Sequence, residues 1–452
     1  MKQPLYKQLY AALREEILSG ALPDGSRLPS KRAMAEESHM SVVTVQNAYD
    51  RLIAEGYVRA DPRRGYFVSF ARERLEAVEE ASKPKAAPPV SAPAWRYDFK
   101  SPAAAVEGFP FSSWAKLMRE VLSEKDAALL AAPDPKGIPE LRREIARTLS
   151  LTRGLHCSPD QIIVGAGSDY LVNLICQLLG VRTFAVEDPG YTKAARIYEN
   201  LGARVHYIPA DDEGIRMDGI RAASPAAVHV TPSHSFPAGI VMSPSRRAEL
   251  LAWVGEDAGR YLIEDDFENE FCYTGRSRAS LSTMDTSGRV VYMNTFTRTL
   301  APSMRIGYIV LPPPLLAEYD RRLSHLSSTV PTLEQHVLAR FLADGSFERH
   351  VRRLRSIYRR RRDTLIAALE REFAGSIRVI GHDAGVHVLG ELCGMDAAAC
   401  SRAARDAGIL LPTLAEYSRE ADVRDAVVFH YAGMCEEDID AAIRLLAAAL
   451  RG

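Results

Sequence analysis

The feature that most constrains the fold is an alternation of apolar patterns that begins near Tyr97 and continues to the C-terminus. Segments with helical spacing of apolar residues alternate there with short runs rich in β-branched residues. These runs occupy residues 161–164, 183–186, 227–231, 260–264, 290–293 and 307–311. Such an alternation predicts an α/β domain on a mostly parallel sheet, which binds ligands at the carboxyl ends of its strands. The pattern of residues 340–452 predicts a smaller lobe of helices and strands.

The first 70 residues carry a different pattern. Three segments with helical apolar spacing, at about 5–19, 30–37 and 41–55, precede two short β-patterns around a turn at 61–65. Three helices followed by a hairpin with a basic tip predict a winged helix-turn-helix. The sequence is therefore expected to form a multidomain protein rather than one extended α/β unit.

Composition supports this division. Residues 71–95 are first highly charged and then rich in proline and alanine, which predicts a semi-stiff, solvated linker between domains at 1–70 and 96–452. The whole chain has a net charge of −1, but residues 1–75 contain 12 Lys and Arg against 9 Asp and Glu. A nucleic-acid site, if present, is therefore local and belongs to the N-terminal domain.

The cysteines and the apolar runs bear on the compartment. The six cysteines are scattered and form no Cys-x-x-Cys pair, which predicts reduced thiols in a cytoplasmic protein. No apolar run reaches the roughly 18 residues that a membrane helix needs, so no membrane partner is expected. His382, His387 and His430 have no metal-ligand spacing among themselves, so no metal site is predicted.

Short motifs in the first domain resemble the GntR winged-helix family. They occupy residues 28–32, 41–45, 48–49, 55–57 and 65–68, and the resemblance covers nearly all of residues 4–69. The resemblance implies binding to double-stranded operator DNA, with the third helix in the major groove. The contacts that it implies come from Ser30, Arg32, Ser41, Thr44 and Gly65, with Arg63 and Arg64 near the minor groove or phosphates.

One position departs from the GntR pattern. The family usually has an arginine directly after the serine that caps the third helix, and this chain has Val42 there. An arginine–guanine pair contributes about 1–3 kcal/mol of base discrimination, so the operator is expected to differ at that position. A winged helix used for protein contacts is the alternative.

The second domain resembles fold-type I aminotransferases of class I/II, in the version fused to GntR heads that is known from MocR-type regulators. The motifs lie at residues 134–137, 187–191, 231–239, 264–267, 294–302 and 305–308. The resemblance implies a three-layer α/β fold, a homodimer and a pyridoxal 5'-phosphate pocket. The residues that it implies for the pocket are Gly167, Ser168, Asp169, Tyr191, His234, Asp265, Thr295, Arg298 and Arg305.

The implied roles are specific. Gly167, Ser168 and Asp169 open a helix whose amides would hold a phosphate together with Arg305. Asp265 would face the pyridine nitrogen, and His234 takes the place next to the ring hydroxyl.

Other parts of the enzyme site are replaced. Arg298 occupies the position of the Schiff-base lysine, and no lysine follows Lys193 in the chain. A guanidinium stays protonated and cannot act as this nucleophile. Phe267 replaces the phenol near the ring hydroxyl, and Val428 replaces the arginine that binds a substrate carboxylate. We therefore expect no catalytic residues and no transamination.

The ligand remains open at this stage. Noncovalent pyridoxal 5'-phosphate, a different small anion as effector, and no ligand at all are each compatible with these residues. Arg298 is expected either to pair with the buried Asp265 or to bind the carboxylate or phosphate of an effector.

The sequence as a whole predicts a cytoplasmic, homodimeric transcription regulator in which a small anionic effector shifts the geometry of the DNA-binding heads. Two alternatives stay open. One is a pyridoxal-phosphate-dependent aminotransferase with an accessory DNA-binding head. The other is a DNA-binding dimer whose second domain is only a ligand-free scaffold.

Overall fold

The computed structural model describes residues 4–70, 95–101, 105–180, 182–273, 279–419 and 423–451. Contacts between residues divide the chain into two compact units, Met1–Ala94 and Trp95–Gly452. Except for Trp95, the predicted linker at 71–95 lies outside the described residues. Within those residues, no helix is both long enough and apolar enough to cross a membrane.

The first unit contains the predicted helices and hairpin. Its helices are α1 (Leu5–Ser19), α2 (Lys31–Glu37) and α3 (Val42–Ala54). Its strands are β1 (Arg27–Leu28), β2 (Val58–Asp61) and β3 (Gly65–Val68), in the antiparallel order β1-β3-β2. This arrangement confirms the predicted winged helix-turn-helix.

A small apolar core holds this unit together. Apolar residues at helical spacing on α1 and α3 face each other, so the two helices pack together. Residues of the sheet complete the same core. The largest of them, Tyr49, is fully buried and donates a hydrogen bond of 3.0 Å to the carbonyl of Pro29. The core consists of Leu9, Leu13, Ile17, Leu28, Met34, Ala35, Val45, Ala48, Tyr49, Leu52, Val58 and Val68.

An eight-stranded sheet forms the centre of the second unit. Its strands are β5 (Ile162–Gly165), β6 (Thr183–Asp188), β7 (Arg204–Asp211), β8 (Gly214–Ile215), β9 (Ala227–Val230), β10 (Tyr261–Asp265), β11 (Val290–Thr295) and β12 (Gly307–Val310). Their order is β5-β12-β11-β10-β9-β6-β7-β8. The six strands predicted from β-branched runs are all present. The strands β7 and β8 were not predicted from the sequence.

The strand directions confirm a mostly parallel sheet. Five consecutive strands of the sheet are parallel to one another, namely β11, β10, β9, β6 and β7. The strand β12 runs antiparallel to both β11 and β5. Because two antiparallel steps cancel, β5 has the same direction as β11. The carboxyl ends of β5, β10 and β11 therefore meet at one edge of the sheet, where a ligand site is expected.

Helices cover the sheet and continue into a smaller lobe. The helices around the sheet are α4 (Phe111–Ser123), α5 (Pro139–Arg153), α6 (Ser168–Leu179), α7 (Thr192–Asn200), α8 (Met217–Ala223), α9 (Pro244–Gly255), α10 (Leu281–Met284), α11 (Pro313–Arg322) and α12 (Thr332–Ala343). Apolar side chains from both faces of the sheet pack under these helices. This packing fixes the strand ends that carry the site.

The smaller lobe is built on a three-stranded antiparallel sheet, β13 (Ile377–Ile380), β14 (His387–Leu392) and β16 (Ala426–His430), in the order β13-β14-β16. Two further short strands, β4 (Tyr97–Asp98) and β15 (Ile409–Leu410), pair with each other. The helices α13 (Ser346–Phe373), α14 (Ala397–Asp406) and α15 (Glu436–Arg451) pack on this lobe through one apolar core.

Candidate functional site

A cavity of about 480 Å³ lies at the carboxyl edge of the main sheet. Side chains from the ends of β10 and β11, from the start of α6 and from the smaller lobe surround it. Six of the residues implied by the aminotransferase resemblance line it directly, namely Ser168, Tyr191, Asp265, Thr295, Arg298 and Arg305. The other lining residues are Lys100, Thr192, Lys193, Phe236, Phe267, Thr297, Pro302, Tyr417 and His430.

The start of α6 forms the first wall. Gly167 precedes the helix with φ of +80°, and a Cβ at this position would lie 2.9 Å from Cζ of Arg305. The guanidinium of Arg305 donates to the carbonyl of Ala166 at 3.2 Å and to Asp169 at 3.1 Å. A helix N-terminus with an arginine held against it is a favourable place for an anion.

Asp169 balances the positive charges at this wall. Its Oδ2 is 2.7 Å from Nζ of Lys193 and accepts from Arg305. Tyr191 lies next to Ser168 and Lys193 in the same wall, and burial raises the pKa of its hydroxyl, so it stays a neutral donor. The residues predicted to hold a phosphate are thus adjacent in space, with Lys193 as an additional cation.

Asp265 forms the second wall at the end of β10. It is 4% exposed, and its Oδ2 lies 3.7 Å from Nε2 of His229, whose Nδ1 lies 2.9 Å from the hydroxyl of Tyr198. Its Oδ1 is buried without a hydrogen-bond partner among the described residues. Burial raises the pKa of Asp265, and the contact with His229 opposes that shift. This oxygen is therefore an acceptor that a ligand N–H or cation would satisfy.

Arg298 forms the third wall, just after β11. Its side chain is 13% exposed, its guanidinium lies 5.9 Å from the centre of the Phe267 ring, and its Nε is 3.4 Å from Oε1 of Glu268. The proposed partner Asp265 instead faces His229. Arg298 is therefore held by Glu268, which follows β10 by three residues and turns inward. Glu268 was not predicted as a site residue from the sequence.

Glu268 lies at the centre of a buried polar cluster. Its Oε2 is 3.2 Å from Nδ1 of His234 and 3.6 Å from Nδ1 of His387. Burial would raise the pKa of Glu268, but the rings of His234 and His387 and the charge of Arg298 hold that pKa well below its usual value. Glu268 is consequently ionised at neutral pH and anchors Arg298 in the cavity wall.

The predicted place of His234 beside the ligand ring is not what the structure shows. His234 is 2% exposed and faces Glu268 and the carbonyl of Gly381, whereas Phe236 lines the cavity. A buried imidazole is stabilised by a charged partner, and Glu268 provides one in the interior. The apolar ring two residues further along then faces the ligand space.

Two lysines, Lys100 and Lys193, also line the cavity. Lys100 pairs with Glu416 at 2.8 Å, and Lys193 pairs with Asp169 at 2.7 Å. Both side chains are about half exposed. Sequence reasoning missed them because Lys100 lies almost two hundred residues from Arg298 and no motif marks either lysine.

A second cavity, of about 430 Å³, shares Thr295 with the first and is lined by Glu270. Oε1 of Glu270 accepts from Asn294 at 3.1 Å, while Oε2 is buried without a hydrogen-bond partner among the described residues. Burial raises the pKa of Glu270 to about 7, and the charge of Asp266 adds to this shift.

This shift predicts a pH-dependent stability. The folded pKa lies above the ordinary value of 4.5, so the free energy of unfolding falls as the pH rises from about 4.5 to 7. We expect Glu270→Gln to raise the free energy of unfolding by about 1–3 kcal/mol at about pH 8 and to change it little at about pH 4.5. Thermal unfolding at both pH values measures this. The exposed Glu140→Gln serves as control, and an equal gain at both pH values would contradict the assignment.

The first unit presents the predicted DNA-contact residues as follows. Ser30 and Ser41 cap α2 and α3 by accepting from the amides of Ala33 at 3.2 Å and Thr44 at 3.1 Å. Both serines are exposed, so capping leaves their surfaces accessible. Their first role is nevertheless to fix the two helix starts.

The wing is basic and exposed. Arg63 is exposed with φ of +65°, and Arg64 is exposed and lies 3.6 Å from Asp61. Gly65 has φ of +115°, which favours glycine, and a Cβ there would lie 3.3 Å from Nε of Arg27. Arg32, on α2, is also exposed. Arg27 thus joins the wing as a further basic residue that the sequence analysis did not name.

Comparison with known proteins agrees with this architecture. The model of the family "Bacterial regulatory proteins, gntR family" matches residues 5–68. An archaeal alanine:glyoxylate aminotransferase matches 83% of this chain and 93% of its own with a TM-score of 0.72 at 22% identity. A multiple substrate aminotransferase from Thermococcus profundus matches 84% and 95% with a TM-score of 0.70 at 24% identity. These structures establish an aminotransferase-type fold.

Two relatives are similar to this chain over nearly its whole length, including both units. The uncharacterized HTH-type transcriptional regulator YhdI of Bacillus subtilis is 34% identical over 450 residues, which cover 98% of this chain and 95% of that protein. The probable rhizopine catabolism regulatory protein MocR of Rhizobium meliloti is 31% identical over 447 residues, covering 95% and 90%. Because the identity to these regulators extends through both domains, the chain belongs to the MocR-type transcriptional regulators of the GntR family.

Proposed function

We propose that this regulator binds a small anion in the 480 Å³ cavity without transaminating it, and that the bound anion changes how the protein binds operator DNA. The observation that carries the proposal is the position of Arg298. Its guanidinium lines the cavity directly after β11, where the aminotransferase resemblance puts the Schiff-base lysine.

We infer that no side chain lining the cavity forms a Schiff base with a ligand. A guanidinium remains protonated and is not a nucleophile. Lys100 and Lys193 line the cavity, but each is about half exposed and paired with a carboxylate at 2.7–2.8 Å. Both amines are therefore engaged by a carboxylate, and neither belongs to the segment after β11 that carries Arg298. The cavity therefore supports binding rather than transamination.

Anion binding is supported by four cationic groups and a helix end. The cavity is lined by Arg298, Arg305, Lys193 and Lys100, and the N-terminus of α6 lies at the same space. A hydrogen bond to a charged group contributes about 1.5–3 kcal/mol, so two arginine contacts give an anion substantial affinity. Glu268 and Asp169 hold these arginines in position and are placed behind them as counter-charges.

Noncovalent pyridoxal 5'-phosphate is one candidate ligand. The unsatisfied Oδ1 of Asp265 fits a protonated ring nitrogen, and Ser168 with Arg305 fits the phosphate. Arg298 does not fit covalent attachment of this cofactor, but it fits a carboxylate or phosphate. A different anion with a cationic or N–H group toward Asp265 satisfies the same residues and is the second candidate ligand.

Symmetric operator binding requires two heads, and we propose a homodimer. The second unit supports this because it exposes several large apolar side chains, namely Phe111, Leu122, Leu130 and Leu151. In the first unit, the exposed Arg32, Arg63 and Arg64 are our proposed DNA contacts, together with Ser30, Ser41, Thr44 and Gly65. We also propose a cytoplasmic location, as the family's role in transcription requires access to DNA.

The first turn of α3 predicts that this protein prefers a different operator base from family members that have arginine at the position of Val42. Val42 and Val43 are 45% and 69% exposed there, and apolar side chains in a major groove contact the methyl group of thymine. We expect Val42→Arg to shift the preferred base toward guanine at one position of each half-site, by about 1–3 kcal/mol. Selection of bound duplexes from a random pool measures the shift.

The matched control for this substitution is Ser19→Arg, which adds the same charge at the exposed end of α1. It is expected to leave the selected sequence unchanged. Replacing thymine by deoxyuridine in the selected operator removes only the methyl group, so it is expected to weaken wild-type binding. Identical selected sequences for the Val42→Arg variant and the wild type would contradict the assignment.

The proposed function is tested by operator binding of the full-length protein with and without pyridoxal 5'-phosphate, and separately with inorganic phosphate. We expect at least one of the two anions to change operator affinity without any amino-acid turnover. Measurable transamination would favour an aminotransferase with an accessory head. Operator affinity that neither anion changes would favour the scaffold.

A further inference from the structure

Three side chains with metal-ligating atoms meet behind Arg298. They come from separate segments, since His234 follows β9, Glu268 follows β10 and His387 begins β14. One ligand atom of each lies within 4.8 Å of those of the other two, and each residue is at most 2% exposed. Sequence spacing gives no sign of this cluster because the fold alone brings the three segments together.

The hydrogen bonding of His234 is not satisfied by a neutral imidazole. Its Nδ1 lies 3.2 Å from Oε2 of Glu268, and its Nε2 lies 3.1 Å from the carbonyl oxygen of Gly381. Both neighbours are acceptors, but a neutral imidazole has only one N–H. A cation between Nδ1 and Glu268, with Nε2–H donating to Gly381, satisfies both contacts.

Further unsatisfied atoms point to the same place. Among the described residues, both ring nitrogens of His387 are buried without a hydrogen-bond partner. Leaving a buried polar group of this kind without a partner destabilises the folded state. A metal ion bound by His234, His387 and Glu268 uses a lone pair of each ring and of the carboxylate.

We propose that His234, Glu268 and His387 bind a divalent transition-metal ion, with zinc as the best match. Two imidazoles and one carboxylate are a known zinc ligand set, and three protein ligands leave the fourth tetrahedral position for a non-protein ligand. At metal–ligand bonds of about 2.0–2.1 Å, tetrahedral ligand atoms are about 3.4 Å apart. The two measured separations from Oε2 of Glu268, 3.2 and 3.6 Å, bracket that value.

The surroundings provide an outer shell for the ion. The contact of His234 Nε2 with the carbonyl of Gly381 fixes the ring tautomer, as is usual for metal-ligating histidines. The amide of Val386 donates to Oε2 of Glu268 at 3.3 Å, and Nε of Arg298 lies 3.4 Å from Oε1. The ion would add positive charge behind Arg298 and strengthen the preference of the cavity for anions. The metal site itself does not depend on the proposed function.

The test uses the full-length protein after removal of metals with a chelator. Co²⁺ is added as a spectroscopic probe, and visible absorbance reports tetrahedral coordination, while elemental mass spectrometry measures bound Zn²⁺ after dialysis. We expect about one ion per chain in the wild type. Glu268→Gln and His387→Gln are each expected to weaken binding by at least about 100-fold. His382→Gln, which changes an exposed histidine, is the matched control and is expected to bind like the wild type.

Two results would overturn the proposal. One is a wild-type protein that takes up neither Co²⁺ nor Zn²⁺. The other is metal binding that is undiminished in the variants, which would place the ion elsewhere. Thermal unfolding checks that each variant folds, and if one of them does not fold, the other decides.

Discussion

Replacing Arg298 by lysine is expected to restore covalent attachment of pyridoxal 5'-phosphate. A lysine at this position projects from the segment after β11 into the cavity that Asp265 and Arg305 also line. Its amine supplies the nucleophile that a guanidinium cannot. We expect Schiff-base absorbance in Arg298→Lys and about one reducible adduct per chain, against less than about a tenth of that in the wild type.

The control for this experiment is Arg298→Gln, which removes the charge without supplying an amine. Borohydride reduction followed by peptide mass spectrometry locates the adduct, so attachment at residue 298 is distinguished from attachment at Lys100 or Lys193. If the wild type forms as much adduct as Arg298→Lys, the claim that this site has lost its covalent chemistry is wrong.

Replacing Arg298 by alanine is expected to remove the effect of the anion on operator binding. Arg298→Ala removes a cavity-lining guanidinium, so the affinity for pyridoxal 5'-phosphate or inorganic phosphate should fall by about 10–100-fold, as charged hydrogen bonds contribute about 1.5–3 kcal/mol. Any effect of these anions on operator binding is expected to disappear with it. Operator affinity without anion should stay unchanged, because the proposed DNA contacts belong to the first unit.

Arg444→Ala is the matched control, since Arg444 is exposed, pairs with Asp440 at 2.8 Å and does not line the cavity. Calorimetry measures the anion affinity, and fluorescence anisotropy with labelled operator measures DNA binding. An Arg298→Ala protein that responds to the same anion at the same concentration would show that Arg298 is not its anchor.

Much of the fold was predictable from local patterns. The β-branched runs predicted six strands because strands buried on both faces have few polar residues. Ser41 predicted the start of α3 because its hydroxyl accepts from the amide of Thr44. The strand β7 was missed because Ile208 is its only buried residue, so it shows no buried apolar run, and β8 was missed because it has only two residues.

Site residues that lie in a sequence motif were predictable. Residues that reach the site only through the packing of distant segments were not. Asp265 and Arg305 line the cavity as the aminotransferase resemblance implied. The interaction between Arg298 and Glu268 was not foreseen, because an inward turn after β10 sets the direction of Glu268. Lys193 is adjacent to a motif, but its ion pair with Asp169 depends on how α6 and α7 pack.

The misplacement of His234 has the same origin. A linear motif gives its position along the loop after β9, but the partner that buries it, Glu268, comes from another loop. Sequence order therefore located the loop correctly and assigned the wrong side chain to the cavity, which Phe236 lines instead.

The central claim is tested most directly by titrating the wild-type, cofactor-stripped protein with pyridoxal 5'-phosphate and with inorganic phosphate, with heat and visible absorbance recorded together. The claim predicts saturable heat with at least one of these anions, near one equivalent per chain, and no Schiff-base absorbance. Schiff-base absorbance in the wild type, or the absence of heat with both anions, would contradict it.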